Sequence, residues 1–379
     1  MQFTPNNGQG APNTLRPPTF WGRYKKYILI ALPIILIIAG GVTWFVLGTS
    51  QPGDETVTIN KKEPKEEAKP VVSPSLVNGV MVATDIANRH PVAVMIENSQ
   101  AARPQVGLTA ADVVYEAVAE GGITRFMAIY SQDYPAKAGP VRSARSYFID
   151  WLSEYDAFYA HAGGSPTALA RIGEYGIKDY PHNADSYYRE AQAGVASEHT
   201  LFADISKIYK FGLEKKKWPA TFDTKSWLFK DPATPASATG PITINFSSAP
   251  FKVVWKHDVA SNEYARELSG SPHKDRLSGE QLKAKTIIVM IVQRASNPPY
   301  QGTGKESEWS MTTIGSGEAS VFQDGVQVKG TWKKPSRTER TRFYNEAGQE
   351  ITLTRGKIWV EVVPQTGSYS VAPAAAPAT

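Results

Sequence analysis

Apolar residues along this chain fall into three kinds of run. The first is long and unbroken: Tyr27 to Leu47 is apolar almost throughout and carries no charge. At about 20 residues it is long enough to cross a bilayer as one helix, and a membrane helix tolerates the Pro33 within it. The second kind is short. Val92–Ile96, Phe126–Tyr130 and Phe158–His161 read as strands, and Phe126–Tyr130 is apolar on both alternating faces, as an interior strand requires. Between and after them, Arg145–Tyr155, Thr167–Tyr175 and Thr200–Leu213 predict helices, while Ala110–Val118 fits helix or strand. The third kind begins at Ile242. Ile242–Phe246, Phe251–Lys256, Glu263–Leu268, Thr286–Gln293, Ala319–Phe322, Val326–Trp332, Thr341–Tyr344, Ile351–Leu353 and Ile358–Val363 are short, β-branched and aromatic. Turn signals such as Asp324-Gly325 and Ala347-Gly348 separate them.

These runs predict an α+β or α/β protein with an N-terminal transmembrane helix, an α/β layered domain over 75–230 and a mostly β domain over 242–364. Strands alternating with helical stretches argue for the layered domain. The mixed-charge, proline-bearing segment 48–74 reads as a disordered linker. Asp231–Pro241 is a second linker, and 365–379, rich in Ala, Pro, Ser and Thr, a disordered tail.

Charge sets the orientation. Arg23, Lys25 and Lys26 precede the apolar helix, and Trp21, Tyr24, Tyr27 and Trp44 suit its interfaces. The positive-inside rule makes 1–26 a cytoplasmic head. It puts the folded domains outside, on a single-pass protein of the cell membrane held by Tyr27–Leu47. The competing reading is a cleaved signal peptide, against which stand the length of the run and the lack of an A-x-A site. The chain has no cysteine, which excludes disulfides, thiolate metal sites, a thiol nucleophile and a lipid-modified cysteine. A net charge of +5 without a long basic run gives no footprint for nucleic acid.

Candidate chemistry gathers between Gly121 and Trp151. Arg125, Arg142 and Arg145 fall near element ends, where guanidinium forks and free backbone N–H groups meet anions. If Ser143 caps the following helix, its N-terminus adds partial positive charge. With the turn glycines Gly163 and Gly164 these residues form a candidate anion site, expected to meet across one loop. The competing reading pairs each arginine internally with an acid. His161 and His199 are candidate general acids or bases, and Glu97 is a candidate carboxylate. Glu97, Asp112, Glu116, Glu120 and Asp150 are hard oxygen ligands that could hold Mg²⁺ beside a phosphate. Their spacing is not diagnostic, so no metal site and no other cofactor is assigned.

Longer stretches carry a family likeness. Pro91–Asn98 (PVAVMIEN), Ala102–Leu108 (ARPQVGL), Ala111–Glu116 (ADVVYE), Glu120–Tyr130 (EGGITRFMAIY), Gly139–Phe148 (GPVRSARSYF), His161–Pro166 (HAGGSP) and Ser197–Phe202 (SEHTLF) resemble the YerB-like family. So do His273–Met290 (HKDRLSGEQLKAKTIIVM) and Gly356–Pro364 (GKIWVEVVP), which look like that family's C-terminal module. The resemblance covers roughly residues 76–365 and implies an exported, membrane-held envelope protein, with no catalytic residue to carry over. Lacking a lipobox cysteine, this chain would rely on its helix as the anchor. The order of strand with arginine, V-R-S-A-R before a helix, and strand with Ala-Gly-Gly is also similar to the LytR-CpsA-Psr phosphotransferases. There an arginine-rich pocket grips a polyprenyl diphosphate-linked glycan. The counterpart here of their first, aspartate-bearing motif is Thr124-Arg125-Phe126, without the aspartate. The two function classes that follow are a binding module for a cell-wall glycan or an envelope protein, and a phosphotransferase-like or hydrolytic enzyme on a phosphate-linked glycan.

Overall fold

Strands from both halves of the chain join in one mixed sheet. The structure, a computed structural model, describes residues 71–180, 182, 185–296 and 308–373. The predicted membrane helix Tyr27–Leu47 and the cytoplasmic head lie outside them. No described helix is long and apolar enough to cross a membrane. In chain order the strands of the largest sheet are β1 (Val92–Glu97), β2 (Val113–Val118), β3 (Thr124–Tyr130), β4 (Phe158–Ala160), β5 (Asp179–Tyr180), β6 (Thr286–Val292), β7 (Gly315–Gln323), β8 (Val326–Lys334), β9 (Arg342–Asn345) and β10 (Ile358–Pro364). Their order across the sheet is β9-β8-β7-β6-β10-β2-β3-β1-β4-β5.

The join is β10. It runs parallel to β6 on one side, with Ile358 opposite Thr286, and parallel to β2 on the other, with Ile358 opposite Val113. All three strands are buried or nearly so along their length, which fits their continuous apolar runs. A second, antiparallel sheet is built on Ile242–Asn245, Lys252–Asp258 and Glu263–Leu268. It meets the centre of the first sheet through Trp255, whose ring lies 5.3 Å from that of Trp359.

The α/β layering expected for 75–230 holds only in part; the described chain is mostly β with few helices around a large mixed sheet. β1, β3 and β2 pair antiparallel as direct neighbours and need no crossover helices, while β1, β4 and β5 run parallel, with the helices Ser146–Leu152 and Pro166–Glu174 in their connections. The ambiguous stretch at Ala110–Val118 resolves as strand β2. The helices of that half are short: α1 (Ser146–Leu152), α2 (Pro166–Glu174) and α3 (Ile205–Glu214). The helix predicted from Thr200 starts later because Asp204 caps it, its Oδ1 accepting from Lys207 N at 3.0 Å, and Leu201–Ala203 before it is a strand. Two expected coil segments also carry strands. Val72–Pro74, at the end of the expected first linker, pairs with Met81–Ala83 beyond it, and Ser368–Val371, in the expected tail, pairs with Ile242–Asn245.

Candidate functional site

β1 ends beside the start of the antiparallel β3, with Glu97 opposite Arg125. The segment Gly139–Arg145 lies across those ends. Glu97 N donates to Pro140 O at 2.9 Å, Arg142 N to Met95 O at 2.9 Å and Val141 N to Leu201 O at 2.7 Å. Gly139 is required here: its φ is +143°, and a Cβ would sit 2.9 Å from Leu201 O. On the far side Ala162 N donates to Arg142 O (3.0 Å) and Ala144 N to Gly163 O (2.9 Å). Gly163 takes a left-handed φ of +66° to make that turn, and Gly164 pairs with Ala144 as an isolated bridge.

The arginines divide between two acids, with Arg125 near both. Arg142 Nε meets Glu97 Oε2 at 3.1 Å, and its NH2 meets the exposed Glu198 at 3.1 Å. His199 Nδ1 shares that same Glu97 oxygen at 2.9 Å. Arg145 instead takes Glu120, with Nε on Oε1 and NH2 on Oε2 at 2.6 Å. Arg125 NH2 lies 3.7 Å from Glu120 Oε2, and its NH1 donates to Ser143 O at 2.8 Å. Ser143 is therefore a backbone partner and not a helix cap. The residue at the N-cap of α1 is Arg145, whose side chain makes no capping bond. His161 is held within the fold, Nδ1 on Gly163 O at 2.6 Å and Nε2 on Asp179 at 2.9 Å.

A third arginine joins the Glu120 group, one that the sequence reading did not select. Arg294 NH2 donates to Ala119 O at 2.8 Å and its guanidinium covers the Trp309 ring at 3.8 Å. Burial lowers the Arg125 side chain to about 10, and the charge of Arg145 pushes the same way. Burial lowers Arg294 too, against the opposing pull of Tyr147 and Glu120. Burial would raise Glu120, but the hydrogen bond and charge of Arg145 and the charge of Arg125 outweigh it and hold the carboxyl below its ordinary value.

Beneath these clusters runs a polar network closed to solvent. Arg266 and Glu116 are both fully buried and ion-paired. Arg266 can only donate, so His273 Nδ1 accepts from its NH1 (2.7 Å), and His273 Nε2–H donates to Gln105 Oε1 at 2.7 Å. Gln105 Nε2 passes on to Glu97 O and Asn98 Oδ1, both at 2.9 Å. Asn98 Nδ2 donates to Thr124 Oγ1 (2.7 Å), which donates to Glu116 Oε1 (2.6 Å). Burial, then the charges of Arg266 and Arg103, push His273 well below its ordinary value, so the ring is neutral. Burial, then Glu116, raise Glu361 well above the carboxylate range, and its Oε1 accepts from Trp255 Nε1 at 2.6 Å. Arg266 thus lies between two buried acids, paired with Glu116 and with its Nε 3.9 Å from Glu361 Oε1. Among the described residues no group of three or more His, Asp or Glu side chains is placed to hold a metal ion.

Residues 77–219 match the N-terminal domain of a protein family of unknown function (DUF3048), and residues 242–360 match that family's C-terminal domain. The chain belongs to this YerB-like family. It is 29% identical over 312 residues to "Putative lipoprotein YerB" of Bacillus subtilis (strain 168), covering 81% of this chain and 90% of that protein. The crystal structure of YerB protein from Bacillus subtilis superposes with a TM-score of 0.68 at 25% identity, covering 78% of this chain and 99% of that one. The YerB-like stretches recognised in the sequence hold Asn98, Gln105, Glu116, Thr124, His273 and Glu361. Their common place is the buried network, which the sequence reading missed. The available signal was a charged residue inside an apolar strand, Glu116 in VVYEAV and Glu361 in IWVEVVP, and, for Arg266, its place on the same face as Tyr264 and Leu268 in the alternating EYAREL.

Proposed function

We propose that this YerB-like protein is a membrane-anchored, outward-facing envelope protein that binds an anionic, phosphate-linked wall ligand at the Glu120 cluster. The supporting observation is a count of charge. Arg125 and Arg145 pair with the single carboxylate of Glu120, Arg294 on Ala119 O lies within reach of its charge, and Arg125 Nε and Arg294 Nε are buried without an acceptor. A phosphate carries more charge than Glu120 and more acceptor positions for guanidinium forks. Glu120 is 49% exposed at its side chain, so it can swing to solvent as the ligand enters. Envelope placement draws on the lipoprotein name of the Bacillus subtilis relative and on the apolar run Tyr27–Leu47. An envelope protein bearing an acidic or phosphorylated segment is the alternative occupant.

The test is to titrate the full chain with lipid-linked wall precursors, with and without Mg²⁺. Arg145→Gln and Arg294→Gln should each weaken binding by about tenfold. Equal binding by wild type and both variants overturns the reading.

The Glu97–His199 pair favours a second, enzymatic reading on a phosphate-linked glycan. An ionised Glu97 only accepts, so His199 Nδ1 carries the proton and Nε2 is left as a base, 3.6 Å from the exposed Glu198. On this reading His199→Gln abolishes turnover of the same precursors while binding persists. Absence of turnover by the wild type sinks it.

A further inference from the structure

A second concentration of positive charge lies away from the Glu120 cluster. Lys333-Lys334-Pro335-Ser336-Arg337-Thr338-Glu339-Arg340-Thr341-Arg342 holds five cations and one acid. It spans the end of β8, the connection and the start of β9. It forms one wall of a cleft of about 460 Å³ whose other wall is Asp223, Thr224 and Lys225.

The wall is fixed from beneath. Lys334 is fully buried, and its ammonium donates to Glu154 (2.8 Å), Arg337 O (2.9 Å) and Glu339 O (2.8 Å). Glu154 also accepts from Thr341 N at 3.0 Å and from the Thr341 hydroxyl, so its charge is already engaged. Arg340 has no such partner. Its guanidinium lies 3.8 Å over the Tyr155 ring and 4.9 Å over that of Trp227. It is 3% exposed and lines the cleft, and no carboxylate or carbonyl accepts from its three nitrogens. The Tyr155 hydroxyl, held neutral by burial, is its polar neighbour and is shared with Tyr115 at 3.1 Å, so it brings no negative charge. A buried cation without a counter-charge is strongly unfavourable unless something supplies one.

The rim fits that missing charge. Lys225 and Lys333 are exposed on opposite walls. The Lys333 ammonium sits 4.7 Å over the Tyr344 ring, a contact that leaves its N–H groups free to donate. Arg342 is already engaged, with Glu350 and with the carbonyls of Lys225 and Ser226. We propose that this cleft binds an oxyanion, the phosphate or carboxylate of a small molecule or polymer unit. The buried Arg340 supplies the field, and Lys225 and Lys333 close on the ligand. The cleft's size suits a small-molecule ligand. The proposal shares no residue with the Glu120 cluster and stands whether or not that cluster binds.

The experiment uses the full chain carrying Arg145→Gln and Arg294→Gln, so that the other cluster is silenced. It is titrated calorimetrically with inorganic phosphate in one arm and glucuronate in the other. Binding of at least one anion is expected. Adding Lys225→Gln with Lys333→Gln should weaken it by about tenfold or more, while Lys215→Gln with Lys216→Gln on α3's exposed C-terminal side leaves it within about twofold. Both pairs are exposed, so folding is retained and checked by the melting curve. The stronger arm identifies the oxyanion. Three results each overturn the proposal: no binding in either arm, binding indifferent to Lys225→Gln with Lys333→Gln, or equal weakening by the control pair.

Discussion

Asp112 and His273 show how burial sets charge state one residue at a time. Asp112 accepts from Ser131 N (2.6 Å), the Ser131 hydroxyl (2.9 Å), Gln132 N (3.1 Å) and Asn78 Nδ2 (3.2 Å). Burial nonetheless outweighs these bonds and raises it to about 6. Its folded value exceeds its unfolded one, so its contribution is full below the unfolded value and is lost as pH rises through about 6. The stability of wild type relative to Asp112→Asn should therefore be greater at pH 4 than at pH 7, by up to about 3 kcal/mol. Urea denaturation at the two pH values measures it, and parallel profiles would refute the assignment. His273 has the opposite sign. Its folded value is depressed by burial first, so its contribution is present above the unfolded imidazole value and lost as pH falls below about 6.5. Gln can both accept from Arg266 and donate to Gln105, so His273→Gln should fold and flatten the acid limb of the stability profile. An unchanged limb would show that His273 does not set it. The arginines teach a related lesson. Their abundance near Gly121–Trp151 was legible in the sequence, but their partners were not. Which carboxylate each arginine meets depends on strand register, and residue spacing does not encode that. Arg294 was invisible for the same reason, since it arrives from the other half of the chain.

At the scale of elements, legibility followed the apolar pattern. β1 and β3 are apolar on both faces, so their interior places could be read directly from VAVMI and FMAIY. Helix α3 was read with its beginning too early. Its apolar periodicity continues backward through Leu201 and Phe202, whereas the boundary is set by a cap. Asp204 holds Lys207 N at 3.0 Å and also accepts from the Ser206 hydroxyl at 2.7 Å. Asp204→Ala should cost about 1 kcal/mol of stability, read as a shift in the chemical denaturation midpoint. Asp204→Ser, which keeps a capping oxygen, should recover much of it. Equal losses in the two variants would show that the cap does not fix the start of α3. Elsewhere, strands were hidden inside stretches whose composition reads as linker or tail. Ser368–Val371 carries a tyrosine among small residues, and it becomes a strand because Ile242–Asn245 offers an edge.

At the scale of the molecule, the decisive contacts join residues far apart in sequence. Hydrophobic periodicity reports only local faces, so it could suggest strands in each half without showing that β10 would lie between β6 and β2. That one insertion makes the sheet continuous. It carries Trp359 into contact with both Trp255 (5.3 Å) and Phe126 (5.6 Å), and sets Arg266 over the Trp359 ring at 4.7 Å. An indole fully buried at such a junction stabilises both halves at once, since apolar area from each is removed from water by the same side chain. Trp359→Ala should therefore cost about 3–5 kcal/mol. It should also raise hydrogen exchange together in β1–β3 and in the strands Lys252–Asp258 and Glu263–Leu268. A rise confined to the C-terminal strands would mean that the halves unfold independently and that β10 does not couple them. The coupling also bears on the Glu120 cluster. Arg125 and Arg145 come from one half and Arg294 from the other, so the variant should weaken anion binding there even though no arginine is changed. Binding retained at the wild-type level, with exchange raised in both halves, would separate the site from the junction that the shared sheet builds beneath it.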